Sequence, residues 1–264
     1  MVGRAGPGDT VVARLRAAGC VFAEDEASVL LAAAGTHAEL EAMVARRVAG
    51  EPLEYIVGWA EFCGLRIAVA PGVFVPRQRT EALVREAARL LTPVASHGPI
   101  VVDLCCGTGA IGAAILALVP SAEVYAADLE PAAVECARAN VEPAGGRVFE
   151  GDLFDALPAE LRGHVSVVVA NAPYVPTEAI AFMPPEARDH EHRTALDGGP
   201  DGTGLHRRIV TDAPAWLERG GHLLIEAGRS QAPATARHMT AARFSVTIAE
   251  DDEYDATVVI GRAP

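Results

Sequence analysis

Between Asp9 and Gly50 the apolar residues fall three and four positions apart: Val12 and Leu15 with the stem of Arg16, then Val29, Leu30 and Ala33, then Leu40, Met43, Val44 and Val48. That spacing follows a helical period and predicts three short helices, with Gly19 and Gly35 as stops and Thr36 as the cap of the third. Pro52 closes the region. From Tyr55 to Val75 the pattern changes: Gly58, Gly64 and Gly72 separate β-prone runs such as Leu65–Val69, which predicts a hairpin. Pro76 and Thr80 then introduce an amphipathic helix with Leu83, Val84, Ala87, Leu90 and Leu91 on one face.

From Ile100 onward apolar runs alternate with helical stretches. The runs are Ile100–Leu104, Val124–Ala127, Val165–Ala170 and His222–Ile225, with Arg147–Glu150 as a weaker one. Such alternation predicts an α/β fold, a mostly parallel sheet covered by helices on both faces. Phe244–Ile248 and Thr257–Ile260 follow each other closely enough to form a hairpin, so one edge is expected to be antiparallel. No internal repeat or low-complexity segment interrupts the pattern.

Composition narrows the picture. Half of the 264 residues are hydrophobic and 22% are charged, the balance of a folded enzyme rather than a disordered chain. No apolar run reaches the roughly 18 to 20 residues that cross a bilayer, and Met1–Thr10 has no basic segment followed by an apolar core; a cytoplasmic protein is expected. The five cysteines, Cys20, Cys63, Cys105, Cys106 and Cys136, are odd in number and form no CxxC, so reduced thiols are expected. All 22 basic residues are arginine, which excludes a lysine Schiff base and a Walker phosphate loop. The net charge of −13 argues against a surface that tracks nucleic acid and for a protein or small-molecule substrate.

The first strand runs into Asp103-Leu104-Cys105-Cys106-Gly107-Thr108-Gly109-Ala110-Ile111-Gly112. Glycine serves such a crossing because the backbone turns sharply and a ligand can lie against it. Gly107, Gly109 and Gly112 satisfy GxGxxG, and Asp128 follows about 20 residues on, so a dinucleotide site has to be weighed. The acidic Asp103 ahead of the loop would repel a pyrophosphate and suits the cationic methionine end of S-adenosylmethionine. On that reading Asp128 accepts from the ribose hydroxyls, with a helix cap before Pro131 as its other role. Asp152, in Gly151-Asp152-Leu153-Phe154, lies where adenine is expected, with an ordinary turn as the alternative.

The fourth apolar strand ends in Asn171-Ala172-Pro173-Tyr174. Ligands of open α/β sheets bind outside the carboxyl ends of the strands, so this tetrad is expected to face the cofactor. An amide or aryl-amine nitrogen is a weak nucleophile because its lone pair is delocalised. The Asn171 carboxamide oxygen and the Ala172 carbonyl can each accept one N–H and aim the remaining orbital at the donor. Pro173 restrains the backbone before it and Tyr174 can cover a planar group. A proline turn with a capping asparagine is the bland alternative.

With these residues in place the chain resembles the HemK/PrmC family of protein-(glutamine-N5) methyltransferases, from about Glu51 to Arg262. The resemblance rests on Glu51-Pro52-Leu53-Glu54-Tyr55-Ile56-Val57-Gly58, on Pro71–Arg77 with Thr80-Glu81, on the glycine loop, on the tetrad and on Ala195–Gly202. It implies a seven-stranded Rossmann-like class I methyltransferase domain at 77–264, a helical substrate-recognition domain at 1–52 and a β-hairpin linker at 53–76. It further implies S-adenosylmethionine as cofactor, S-adenosylhomocysteine as product, and a peptide-chain release factor carrying Gly-Gly-Gln as partner. The implied cofactor residues are Asp103, Cys105, Gly107, Thr108, Gly109, Asp128, Leu129, Asp152, Leu153 and Asn171, and the implied catalytic ones Asn171, Ala172, Pro173 and Tyr174. Three departures mark a diverged member: Ala172 where the family has Asn-Pro-Pro-Tyr, Gln78-Arg79 where it has a proline and a glutamate, and Asp255-Ala256-Thr257 where it places an arginine.

Two rival acceptors fit the same tetrad, a nucleic-acid base amine and the nitrogen of a small molecule or peptide. The acidic charge weighs against the first; Ala172 and the altered 77–80 segment motivate the second. A binder that retains S-adenosylmethionine without turnover is a third reading, opposed by the full set of carboxylates and Asn171. His190-Glu191-His192 has the spacing of metal ligands only in a strand, so a solvated loop and no metal are expected there, with Arg188 and Arg193 available to a partner.

Overall fold

The computed structural model describes residues 7–264, so the first six residues of the expected helical segment and most of Met1–Thr10 lie outside the described residues. Three helices come first: α1 (Pro7–Ala17), α2 (Ala23–Ala33) and α3 (His37–Val48). Thr36 caps α3 as its sequence predicts. The Glu39 N–H donates to Thr36 Oγ1 at 3.2 Å, and the Thr36 N–H donates to Glu39 Oε2 at 3.0 Å, so two amides left over at the helix start are satisfied reciprocally. Val11, Leu15, Ala23, Ala27, Leu30, Leu40 and Val44 form a small core with Ile56. Its register differs from the sequence reading at three points: Val11 rather than Val12 is buried, Ala33 is exposed, and Val48, the last residue of α3, is 42% exposed. Three short helices share a narrow apolar seam that covers fewer positions per turn than the spacing alone suggests.

A fourth helix, α4 (Leu53–Val57), occupies the start of the stretch expected as hairpin and ends at Gly58 in the left-handed conformation. The hairpin follows as β1 (Trp59–Phe62) and β2 (Leu65–Ala68), paired antiparallel. Its turn residues Cys63 and Gly64 have φ of 49° and 73°, the positive values a two-residue turn needs to match the strand twist. Helix α5 (Glu81–Leu91) buries Leu83, Val84, Ala87 and Leu91, the predicted face, and Glu81 accepts from the Cys63 N–H at 2.9 Å, holding the hairpin tip.

Seven strands make the main sheet: β3 (Ile100–Leu104), β4 (Glu123–Asp128), β5 (Arg147–Glu150), β6 (Val165–Ala170), β7 (Leu217–Glu226), β8 (Ser245–Asp251) and β9 (Ala256–Arg262). Their order is β5-β4-β3-β6-β7-β9-β8, parallel through β7 and antiparallel from β7 to β9 and β8. This is the class I methyltransferase sheet with the expected antiparallel edge. Helices α6 (Ala110–Leu118) and α7 (Pro131–Val141) join α5 on one face, where Val101, Val124, Val167 and Leu224 are buried. After the short helix α8 (Pro185–His190), helices α9 (Gly204–Asp212) and α10 (Ala232–Ala241) cover the other face, where Val102, Leu104, Val168, Leu223 and Ile225 pack with Phe154 and Trp216. Successive strand residues point to opposite faces, and both faces are covered, which is why the parallel strands read as unbroken apolar runs. No helix among the described residues is long and apolar enough to cross a membrane.

Candidate active site

The carboxyl ends of β3, β4 and β6 open onto one cavity of about 220 Å³. At its cofactor end the glycine loop leaves β3 through Cys105 at φ 54°, Gly107 at φ 55° and Gly109 at φ 74°. A Cβ on Gly109 would stand 2.6 Å from Val141 Cγ2, so only glycine lets the loop lie against α7. Asn140 of α7 fixes the loop to the hairpin: its Nδ2 donates to the Thr108 carbonyl at 2.8 Å and to the Ala68 carbonyl at 2.9 Å, and its Oδ1 accepts from the Ala68 N–H at 2.8 Å.

Asp128, at the end of β4, lines the cavity and accepts from the Gly107 N–H at 2.8 Å and the Glu130 N–H at 3.0 Å. The cap position of α7 is Glu130, without a side-chain cap hydrogen bond, so Asp128 braces the turn ahead of the helix rather than capping it. Burial raises its pKa, with the backbone hydrogen bonds acting in opposition. Cys105, Gly107, Thr108, Leu129, Asp152 and Leu153 also line the cavity. Leu153 has φ 51°, a strained value for a branched side chain that marks a constrained site. Asp152 accepts from Arg208 Nη2 at 2.7 Å.

Asp103 lies elsewhere. It shares strand parity with Val101 and so points into the face covered by α6, beneath the loop rather than into the cavity. It is fully buried, one oxygen accepts from the Gly112 N–H at 3.0 Å, and the other has no partner. Burial pushes its pKa up to about 7. The side-chain period of two decides that direction.

At the acceptor end Asn171, Ala172, Pro173 and Tyr174 all line the same cavity. Asn171 donates from Nδ2 to Thr80 Oγ1 at 3.2 Å, and no protein donor engages its Oδ1 among the described residues. Thr80 in turn bonds Glu226, which also accepts from Tyr174 Oη at 3.3 Å and pairs with Arg79 Nε at 3.5 Å. Glu226 ends β7 and is 2% exposed; burial raises its pKa while Thr80, Arg79 and Tyr174 pull it down. Arg79 lines the cavity, with its guanidinium 6.0 Å from the Tyr174 ring centre. Sequence reasoning missed Glu226. The signal was present, an acidic residue closing an apolar strand, as at Asp128.

The Leu196–Gly202 segment braces the tetrad from outside. Val175 pairs with Asp197, whose carboxylate accepts from Thr177 Oγ1 at 2.6 Å and the Gly199 N–H at 3.0 Å. A Cβ on Gly202 would lie 2.3 Å from the Tyr174 carbonyl oxygen. The expectation of a solvated loop at 190–192 is overturned for Glu191: it is 6% exposed, bonds the Val75 N–H at 3.2 Å and pairs with Arg77. A chain returning to cover the cavity buries a side chain that local pattern makes a loop residue. Arg188 and Arg193 are engaged within the chain, by Asp189 and Asp197. No group of three or more metal-ligating side chains occurs among the described residues.

Fold and site together define a protein of the class I methyltransferase architecture. The model of the methyltransferase small domain matches residues 64–183, and a methyltransferase from Pyrococcus furiosus superposes with a TM-score of 0.55 over 75% of this chain and 89% of its own at 16% identity, a likeness of fold. Among curated relatives, the release factor glutamine methyltransferase of Geobacter sulfurreducens is 43% identical over 72% of this chain and 65% of its own length. The 4-amino-L-phenylalanine/4-methylamino-L-phenylalanine methyltransferase of Streptomyces pristinaespiralis is 41% identical over 71% of this chain and 65% of its own. The alignments thus span about 65% of the length of these two relatives. The release factor glutamine methyltransferase of Bradyrhizobium diazoefficiens is 35% identical over 90% of this chain and 86% of its own. The chain belongs to the release factor glutamine methyltransferase family.

Proposed function

We propose that this chain transfers a methyl group from S-adenosylmethionine to the side-chain amide nitrogen of a protein glutamine, in a peptide-chain release factor. The observation that carries the reading is the orientation of Asn171: Thr80 takes its Nδ2, leaving Oδ1 as an acceptor beside the Ala172 carbonyl, in the cavity that Asp128 lines.

The cofactor fits the side chains present. Asp128, Glu130 and Asp152 line the glycine-loop end, where the one guanidinium, Arg208, is engaged by Asp152. A nucleoside with a cationic tail suits that charge, whereas a pyrophosphate would be repelled. When bound, S-adenosylmethionine supplies a methyl group activated by a positive sulfur. Asp128 would hold the ribose hydroxyls, Asp152 and Leu153 the adenine, and Cys105, Gly107, Thr108, Leu129 and Asn171 the remaining wall, with Gly109 turning the loop against α7 behind it.

The chain's work is then alignment. Asn171 Oδ1 takes one N–H of the acceptor amide and the Ala172 carbonyl the other, fixing its plane and turning the nitrogen lone pair toward the cofactor end. Tyr174 and Pro173 shape the slot. The nitrogen sheds its surplus proton after the new bond forms, so no base is needed beforehand. In this reading segment 1–52 recognises the protein substrate, 53–76 links it, 77–264 performs transfer, and the enzyme works in the cytoplasm.

Arg79 favours a second reading. Its guanidinium stands at the acceptor end and suits a small aryl amine bearing a carboxylate, the kind of molecule named for the Streptomyces relative. Labelled methyl transfer followed by peptide mass spectrometry separates the two. Label on the glutamine of Gly-Gly-Gln supports the first, and label on an amino-substituted phenylalanine with none on any glutamine-bearing protein replaces it.

A further inference from the structure

Residues 175–196 leave the acceptor tetrad, pass through α8 and come back beside it. Val175, Met183, His192, Thr194, Ala195 and Leu196 of this strap line the cavity, and the Val175 N–H donates to the Leu196 carbonyl at 3.0 Å, which closes the strap on itself next to Tyr174. Midway along it, on α8, stands Glu186, its half-exposed carboxylate 2.6 Å from Arg47 Nη2. Arg47 belongs to α3 and is 6% exposed. It forks to Glu26 of α2 through Nε at 2.6 Å and Nη2 at 3.1 Å, and its Nη1 donates to the Glu51 carbonyl at 3.2 Å. Glu26 alone neutralises the guanidinium inside the helical unit, so Glu186 is surplus to the charge balance there. Arg47 is also the one cation within ion-pair reach of Glu186 among the described residues.

We propose that Arg47 is a positioning residue for the acceptor end: from inside the unit of α1, α2 and α3 it holds Glu186, and so seats the strap that walls the cavity. A guanidinium is a planar fork with five donors and binds two carboxylates and a carbonyl in one fixed arrangement, which sets where α8 lies. The strap has other ties, from Glu191 to Arg77 and the Val75 N–H and from the His192 N–H to the Gly72 carbonyl, but these hold its returning limb. Arg47 is too buried to touch an acceptor, so its influence on acceptor binding runs through the strap. Removing Arg47 strands Glu26, and breaking a buried pair from one side costs about 3–5 kcal/mol. Removing Glu186 leaves the Arg47–Glu26 pair whole, which makes Glu186→Ala the cleaner probe.

The kinetic arm of this inference rests on the reading that segment 1–52 recognises a release factor; the seating of the strap does not. In full-length Glu186→Ala, amide hydrogen exchange across 183–195 is expected to quicken at least about ten-fold, while the amides of α2 and α3 stay within about two-fold of the parent. With a Gly-Gly-Gln release factor as acceptor, its KM should rise about ten-fold, and kcat and the dissociation constant for S-adenosylhomocysteine should each stay within about two-fold. Glu186→Gln, which keeps an acceptor for Arg47, is expected to recover most of both changes. Arg47→Met added to Glu186→Ala should raise KM no further, and additive losses contradict the coupling; should that pair not fold, Glu186→Ala decides alone. Unchanged exchange in the strap overturns the proposal, even with a raised KM, because Glu186 then meets the acceptor directly. Equal quickening in α2 and α3, or quickened exchange with an unchanged KM, overturns it as well. If the parent methylates no release factor, the functional reading fails and the exchange result alone decides whether Arg47 seats the strap.

Discussion

The two ends of the cavity are built differently. The glycine loop at the cofactor end is built mainly from neighbouring stretches: Gly107 bonds Asp128, 21 residues on, and Asp103 bonds Gly112, 9 residues on, with longer ties from Asn140 to Ala68 and from Arg208 to Asp152 around it. The acceptor end is drawn together from across the chain: Asn171 and Thr80 are 91 residues apart, Tyr174 and Glu226 are 52 apart, and Arg77 and Glu191 are 114 apart. A local motif can hold a cofactor with little help, while a slot for one nitrogen depends on the packing of whole elements. The difference teaches where specificity can change without disturbing the donor end.

The largest expected effect breaks the comparison at the cofactor end. Asp103 has its pKa raised to about 7 against about 3.9 in an unfolded chain. A raised pKa means that its contribution is fully present below about pH 4 and is lost as the pH rises through about 7. Asp103→Asn is therefore expected to be more stable than the parent at pH 8, by up to ~4 kcal/mol, and nearly level with it at pH 4. Denaturant midpoints at the two pH values read this directly; parallel curves would show that the buried carboxyl costs nothing. A somewhat smaller effect sharpens the contrast. Asp128→Ala should weaken cofactor binding about 100-fold, or ~3 kcal/mol, by calorimetry, while leaving acceptor binding within about three-fold. Equal losses at both ends would erase the distinction.

What could be read from sequence divides along the same line. The seven strands, the antiparallel edge, the helical start and the capped α3 follow from apolar periodicity and turn residues, because those signals are local. The glycine loop, Asp128 and the tetrad were legible for the same reason, and they converge on one cavity. Asp103 was found, but its direction was not, since that depends on counting strand parity to the face under α6. Glu226 and Asn140 could not be placed from spacing: each is given meaning by a partner from a distant element. Glu191 and Arg47 show the same limit. One is buried by a segment folding back over the cavity and the other by pairs with Glu26 and Glu186, contacts that a polar stretch does not announce.

Asn171 joins the two ends, standing at the carboxyl terminus of β6 with its amide committed to Thr80. The most direct test of its role is a single-turnover comparison of Asn171→Ala with the parent, alongside the dissociation constant for S-adenosylmethionine in each. The account predicts that transfer falls at least about 100-fold while cofactor affinity changes by less than about five-fold. Unchanged transfer in Asn171→Ala would contradict the acceptor grip.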